Sequence, residues 1–285
     1  MNHYFMRFPN GKCKAVTFSY DDGCRSDYKL LEILNKYNMK CTFNISSYNI
    51  VNEKVVLDKE EIVEHILNKG HELANHGAKH RAPGALSLTD GICEMLDGRR
   101  ELERMFGGII RGLAYPNSGV CVMDNGAAYS DVKAYLSNLG IVYARSTGGD
   151  NSKFLLPDDW HNWMPTAHHD NPELLNWIDD FIARDINSIY IARRRPLLMY
   201  IWGHSAEFDR NNNWDRLELI CEKLYSRDDI WYATNIEIYD YTMAYRSLQF
   251  NVDRTICYNP TQHSIWFVAD GKDYCINPGE TLTFI

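Results

Sequence analysis

The feature that most constrains this chain is a repeated switch between two hydrophobic periods. Short alternating or continuously apolar runs, at residues 15–20, 40–46, 72–75, 109–115, 141–145, 197–202 and 230–233, read as strands. Each is followed by a segment with apolar residues three or four apart. Residues 27–38 carry Leu30, Leu31, Leu34 and Tyr37 on one helical face. Asp58 and Glu61 open the next helix, whose stripe is Ile62, Val63, Ile66 and Leu67 and whose stop is Gly70. Further helices are expected at 89–106, 130–139, 171–184, 213–226 and 235–246. Seven strand–helix units predict an α/β fold with a parallel sheet, open or closed into a barrel.

Two stretches break this rhythm. Residues 146–170 read as one long loop rich in Trp and His, and long loops in compact domains tend to be functional. After residue 246 four short alternating runs are split by Asn-Pro, Asp-Gly and Pro-Gly. They predict a small antiparallel β appendage at 247–285, too small to stand alone, packed on a barrel spanning 1–246.

Composition narrows the partners. The net charge is -8, and the Arg193–Arg195 run is short and isolated, so a nucleic-acid footprint is not expected. No stretch approaches the roughly 18 apolar residues of a membrane span. Residues 1–9 lack the apolar core of a secretion signal, so with Met1 as the native start a cytoplasmic location is expected. The eight cysteines are scattered and include no CxxC, which favours reduced, structural thiols over a thiolate metal site. Oligomeric state is not legible.

Reactive residues gather after strands. Asp21-Asp22-Gly23 follows the first, His76 and His80 the third, and Tyr115-Pro116-Asn117 the fourth. Arg145 ends the fifth, and Trp202-Gly203-His204 the sixth. In parallel α/β folds the carboxyl ends of strands carry the sites. Two His four apart with a distant carboxylate suit zinc or a similar divalent ion. By spacing alone the pair is equally compatible with loop histidines, and Asp-Asp-Gly with a solvated turn. Adjacent carboxylates repel, however, and a nearby cation relieves this.

Residues 16–23 (VTFSYDDG) resemble the first motif of the NodB-homology polysaccharide deacetylases, carbohydrate esterase family four. His76-Gly77-Ala78-Lys79-His80 is similar to their His-x-x-x-His second motif, residues 114–119 (AYPNSG) to the third, and Trp202-Gly203-His204 to the fifth. The resemblance spans residues 13–243 and implies a distorted (β/α)7 barrel. It implies Asp21 as general base, His204 as general acid, and Asp22, His76 and His80 as ligands of a divalent metal: zinc, or cobalt, nickel, iron or manganese. Tyr115, Pro116, Asn117, Arg145 and Trp202 would line the substrate and oxyanion site. The implied partner is an acetylated sugar or oligosaccharide. The implied reaction is N-deacetylation, with O-deacetylation of an acetylxylan-type glycan or silent glycan binding as alternatives.

The chain departs from the pattern in three places. Ala114 stands where an Arg orienting the base is usual; Arg145 is the expected replacement, and Arg111 is expected to point elsewhere. The fourth motif is indistinct, with Asp150 and Asp158-Asp159-Trp160 as candidates, which leaves the partner of His204 unassigned. Trp202 replaces the Leu of the fifth motif. Glu207 and Asp209 could bind substrate or be solvated, His168 and His169 could line the sugar site, and Trp160 and Trp163 could stack on sugar.

Overall fold

The computed structural model describes residues 3–51, 57–117, 119–186 and 194–284. Ser118 of the third-motif stretch and Arg193 lie outside them.

Eight parallel strands build the central sheet: β2 (Lys14–Asp21), β3 (Cys41–Ile45), β4 (Glu72–Asn75), β5 (Gly112–Ala114), β6 (Tyr143–Arg145), β7 (Ala167–His168), β8 (Leu197–Gly203) and β9 (Ile230–Tyr232). Their order is β6-β5-β4-β3-β2-β8-β7, and β9 pairs the first half of β2. The sheet curls. A parallel bridge from Arg145 to Trp163, and β7 against β8, carry the chain between the two edge regions. The stretch read as a loop at 146–170 therefore supplies backbone pairing. Two residues are too short for a period to show, so no pattern could reveal β7.

Every residue of β2 is buried. Alternation divides its side chains. Val16, Phe18 and Tyr20 join the outer core with Leu30, Leu34, Phe43, Ile178, Phe181, Met199 and Ile220. Thr17, Ser19 and Asp21 face polar partners inside: Thr17 Oγ1 donates to Asn235 Oδ1 (2.9 Å), and Ser19 Oγ accepts from Asn44 Nδ2 (2.8 Å). The barrel interior is thus a polar column in which most groups find hydrogen-bond partners, as low dielectric favours.

Helix Asn235–Arg246 enters this column with its amino end, capped by Thr234. Asn235 N donates to Thr42 Oγ1 (3.0 Å), and Ile236 N to Glu72 Oε2 (2.9 Å). The Glu72 carboxylate also accepts from Tyr143 Oη (2.7 Å) and Thr42 Oγ1 (2.8 Å). Burial raises the Glu72 carboxyl to about 7 against these donors.

Most expected helices form. The Asp58–Glu61 start is a reciprocal capping box, with bonds of 2.8 and 2.7 Å. Two readings change. The strand expected at 109–115 shortens to Gly112–Ala114, because Ile109 is exposed and Ile110 N is drawn to Glu103 Oε1 (3.0 Å). An unforeseen helix, Ser205–Asn211, precedes Trp214–Leu224.

The remaining strands form two small antiparallel sheets. β1 (Tyr4–Arg7), β12 (Ile265–Ala269) and β13 (Lys272–Ile276) make one; β10 (Gln249–Phe250), β11 (Ile256–Tyr258) and β14 (Thr281–Thr283) the other. The amino end, through β1, thus completes the first sheet. Cys257, Ile265, Phe267 and Ile276 pack with Ala15, Leu198, Tyr200, Ile238 and Tyr241 of the barrel. All eight cysteines are free. Among the described residues no helix is long and apolar enough to cross a membrane.

Candidate active site

Asp21 closes β2 at its carboxyl end, opposite Asn44 of β3. Its carboxylate, 3% exposed, accepts from Arg145 Nη2 (2.5 Å) and Asn44 Nδ2 (2.8 Å). Burial raises this carboxyl; Arg145, His76, His204 and Asn44 outweigh it, so the net shift is downward. Asp21 is therefore held as an anion. Arg145, the expected replacement for the missing Arg, is almost wholly buried, with its guanidinium 4.4 Å from the centre of the Trp202 ring.

The next residue turns sharply. Asp22 has φ +79°, and this left-handed backbone sends its carboxylate away from that of Asp21. Its Oδ1 lies 3.7 Å from His76 Nε2 and 3.4 Å from His80 Nε2. His76 is fully buried, and its Nδ1 is 2.9 Å from the Ala114 carbonyl. A carbonyl can only accept, so Nδ1 carries the proton and Nε2 turns a lone pair toward Asp22. That Nε2 has no hydrogen-bond partner among the described residues. Burial lowers His76, which keeps the imidazole neutral. A neutral His, a second His and a carboxylate around an orphaned buried nitrogen fit a divalent cation of the zinc type.

The segment joining the two histidines is held from behind by a residue that the sequence did not reveal. Glu94, buried in helix Leu88–Phe106, accepts from Lys79 N (2.6 Å), Arg81 N (3.3 Å) and Arg81 Nε (2.8 Å). Two glycines make the approach possible. A Cβ on Gly77 would lie 2.8 Å from Glu94 Oε1, and one on Gly98 would lie 2.7 Å from the Gly77 carbonyl carbon. His80 itself has φ +60°. A Glu fifteen residues downstream on a helical face resembles any solvated charge, so no local signal marked it.

His204, just past β8, sits with Nε2 3.8 Å from Asp21 Oδ2 and Nδ1 3.4 Å from Glu207 Oε1. Glu207 raises the imidazole, burial opposes it, and Asp21 and Asp22 add to the rise. The unassigned partner of His204 is thus Glu207, three residues on in helix Ser205–Asn211. It is neither a solvated group nor an isolated one, since His168 Nε2 also lies 2.9 Å away. Asp209 instead holds Ser26 and Trp214.

Several expected contributors are elsewhere. Asp159 binds Tyr129, Lys133 and His161 N, and Asp150 accepts from Leu155 N, so neither meets His204. Arg111 pairs with Asp240. Trp160 and Trp163 are buried against Tyr239, Tyr143 and Tyr200, where no sugar can reach them. Tyr115 is buried, its hydroxyl donating to the His161 carbonyl (2.7 Å). Pro116 is buried beside it, and exposed Asn117 (φ +51°) donates through Nδ2 to the His80 carbonyl (2.8 Å). A groove of about 500 Å³ opens there, lined by His80, Arg81, Leu86, Asn117 and Met123.

Fold and site together define a parallel α/β barrel with a His₂–carboxylate cluster and a second, Arg-paired carboxylate at its carboxyl-end mouth. Residues 9–144 match the profile of the polysaccharide deacetylase family. A Mycobacterium smegmatis protein assigned as a polysaccharide deacetylase superposes with a TM-score of 0.56 at 18% identity, covering 84% of this chain and 93% of that one. The Puue allantoinase gives 0.58 at 12% identity (81% and 90%), and the peptidoglycan deacetylase PdaC of Bacillus subtilis 0.51 at 16% (84% and 96%). No curated protein sequence matches the chain. The match over residues 9–144 and the shared fold fit a divergent member of the polysaccharide deacetylase family.

Proposed function

We propose that the chain is a metal-dependent carbohydrate deacetylase that hydrolyses an N-acetyl group from an amino sugar or its oligomer. One observation carries the reading: an anionic, buried Asp21 beside Asp22, His76 and His80, which converge on a common point. Those three residues would hold the cation, which when bound supplies Lewis acidity to the acetyl carbonyl.

The chain's own groups do the rest. Asp21 takes the proton of the attacking water. Arg145 and Asn44 fix the orientation of its carboxylate, and proton transfer from a fixed geometry is effective. As the carbonyl carbon becomes tetrahedral, negative charge grows on its oxygen. The exposed Asn117 backbone N–H, after Pro116, is the donor assigned to it; losing one such donor typically costs about 3 kcal/mol. An amine leaves poorly without a proton, and His204, kept charged by Glu207, delivers one. Trp202 walls the pocket against Arg145.

An acetate-release screen tests this reading. Metal-loaded protein should release acetate from N-acetylglucosamine oligomers faster than from acetylated xylan. Faster release from xylan would make it an O-deacetylase. Binding of glycan with no acetate from either would make it a silent relative.

A further inference from the structure

A second set of ligating side chains flanks His204: His168, His169, Asp170 and Glu207, whose ligand atoms all lie within 4.8 Å of one another. His169 Nε2 is 3.5 Å from Glu207 Oε2 and 3.6 Å from Asp170 Oδ2. His168 Nε2 is 2.9 Å from Glu207 Oε2. The His168–Glu207 contact could be read as a simple hydrogen-bonded couple, but that leaves His169 unexplained. Its side chain is wholly buried, stacked on Phe208 at 4.1 Å, and neither ring nitrogen has a hydrogen-bond partner among the described residues. Native folds rarely bury an imidazole with both nitrogens unmatched.

The surroundings are built for that ring. A Cβ on Gly203 would lie 2.0 Å from His169 Nδ1, so only glycine leaves it room. Asp170 is fixed by Asn211 Nδ2 (2.7 Å) and Asn213 Nδ2 (3.0 Å). Glu207 also meets Arg210 Nη2 (3.3 Å) at the exposed rim. With neither nitrogen engaged among the described residues, the His169 ring has a nitrogen free to ligate. Two imidazoles and two carboxylates make a donor set that suits a divalent ion of the zinc, cobalt or nickel type.

We propose that His168, His169, Asp170 and Glu207 form a second divalent-metal site, separate from Asp22, His76 and His80. Glu207 faces both this cluster and His204 Nδ1.

Co²⁺ titration of the apo full-length chain, followed by calorimetry and visible absorption, tests the site. Two Co²⁺ per chain are expected in the wild type, one in His169→Gln, one in Asp170→Asn and one in Asp22→Asn. The rim position of Asp170 keeps the test open if His169→Gln fails to fold. A single wild-type Co²⁺, lost in Asp22→Asn and kept in Asp170→Asn, overturns the proposal. A single Co²⁺ lost in Asp170→Asn and kept in Asp22→Asn supports it and defeats the first site. Two bound ions with no acetate release leave the second site standing and defeat the deacetylase reading alone.

Discussion

Asp21 and Arg145 are 124 residues apart in the chain, yet their carboxylate and guanidinium meet at 2.5 Å with both side chains sealed from solvent. Three strands separate β2 from β6 across the sheet, so only the curl of the barrel brings them together. The pair favours the ionised form of Asp21 and links β2 to β6 across the curled sheet.

A buried ion pair stripped of one partner leaves an uncompensated charge. Arg145→Met should therefore destabilise the fold by about 3–5 kcal/mol. Asp21→Asn in the same background should recover part of that loss. Urea denaturation of the four proteins checks the coupling; losses that simply add would contradict it.

Glu94 orders the segment between His76 and His80 without joining the Asp22, His76 and His80 cluster. Supports of this kind typically change metal affinity by about 10- to 100-fold. Glu94→Gln should weaken Co²⁺ binding at the Asp22, His76 and His80 cluster by that factor while the far-ultraviolet circular dichroism stays unchanged. Unaltered affinity would remove Glu94 from the support of the site.

Alanine ordinarily improves a helix by about 1 kcal/mol over glycine. At Gly98 it should do the reverse, because its Cβ would lie 2.5 Å from Asn75 Oδ1 and 2.9 Å from Ala78 N. Overpacking of this sort costs about 1–3 kcal/mol. A lowered melting temperature for Gly98→Ala is expected; a raised one would mean that the helix and the histidine segment are not in this close contact.

Glu72 makes stability depend on pH. Its folded carboxyl is raised from 4.5 to about 7, so the folded state holds the proton more tightly than the unfolded chain. Below about pH 4.5 both states are protonated. As pH rises to about 7 the unfolded state ionises first, and this contribution to stability is lost. Glu72→Gln removes the titration. Relative to wild type its stability should rise between pH 4.5 and 7 and level off above, measured by urea denaturation across that range. A constant difference would contradict the assignment.

Parts of this arrangement were legible because they are local. Asp21-Asp22, His76 with His80, and His204 are short patterns at the ends of well-marked strands, and Arg145 stood at a strand end too. Apolar outward positions such as Val16, Phe18 and Tyr20 carried the strand–helix alternation. What stayed hidden depends on distant or very short pairing. β7 has two residues, and β1 finds its partner β12 only across the whole chain. Glu94 and Glu207 look like any surface charge until folding buries one and sets the other between His168 and His204. Asn44 binds the Asp21 carboxylate from a strand whose sequence pattern marked no site residue.

The central claim is that Asp21 acts as the base beside a cation it does not hold. Asp21→Asn measured side by side for acetate release and for Co²⁺ binding at the Asp22 site tests it most directly. The account predicts that acetate release from an N-acetylated oligosaccharide is abolished while Co²⁺ affinity is retained. Undiminished release in the variant would contradict it.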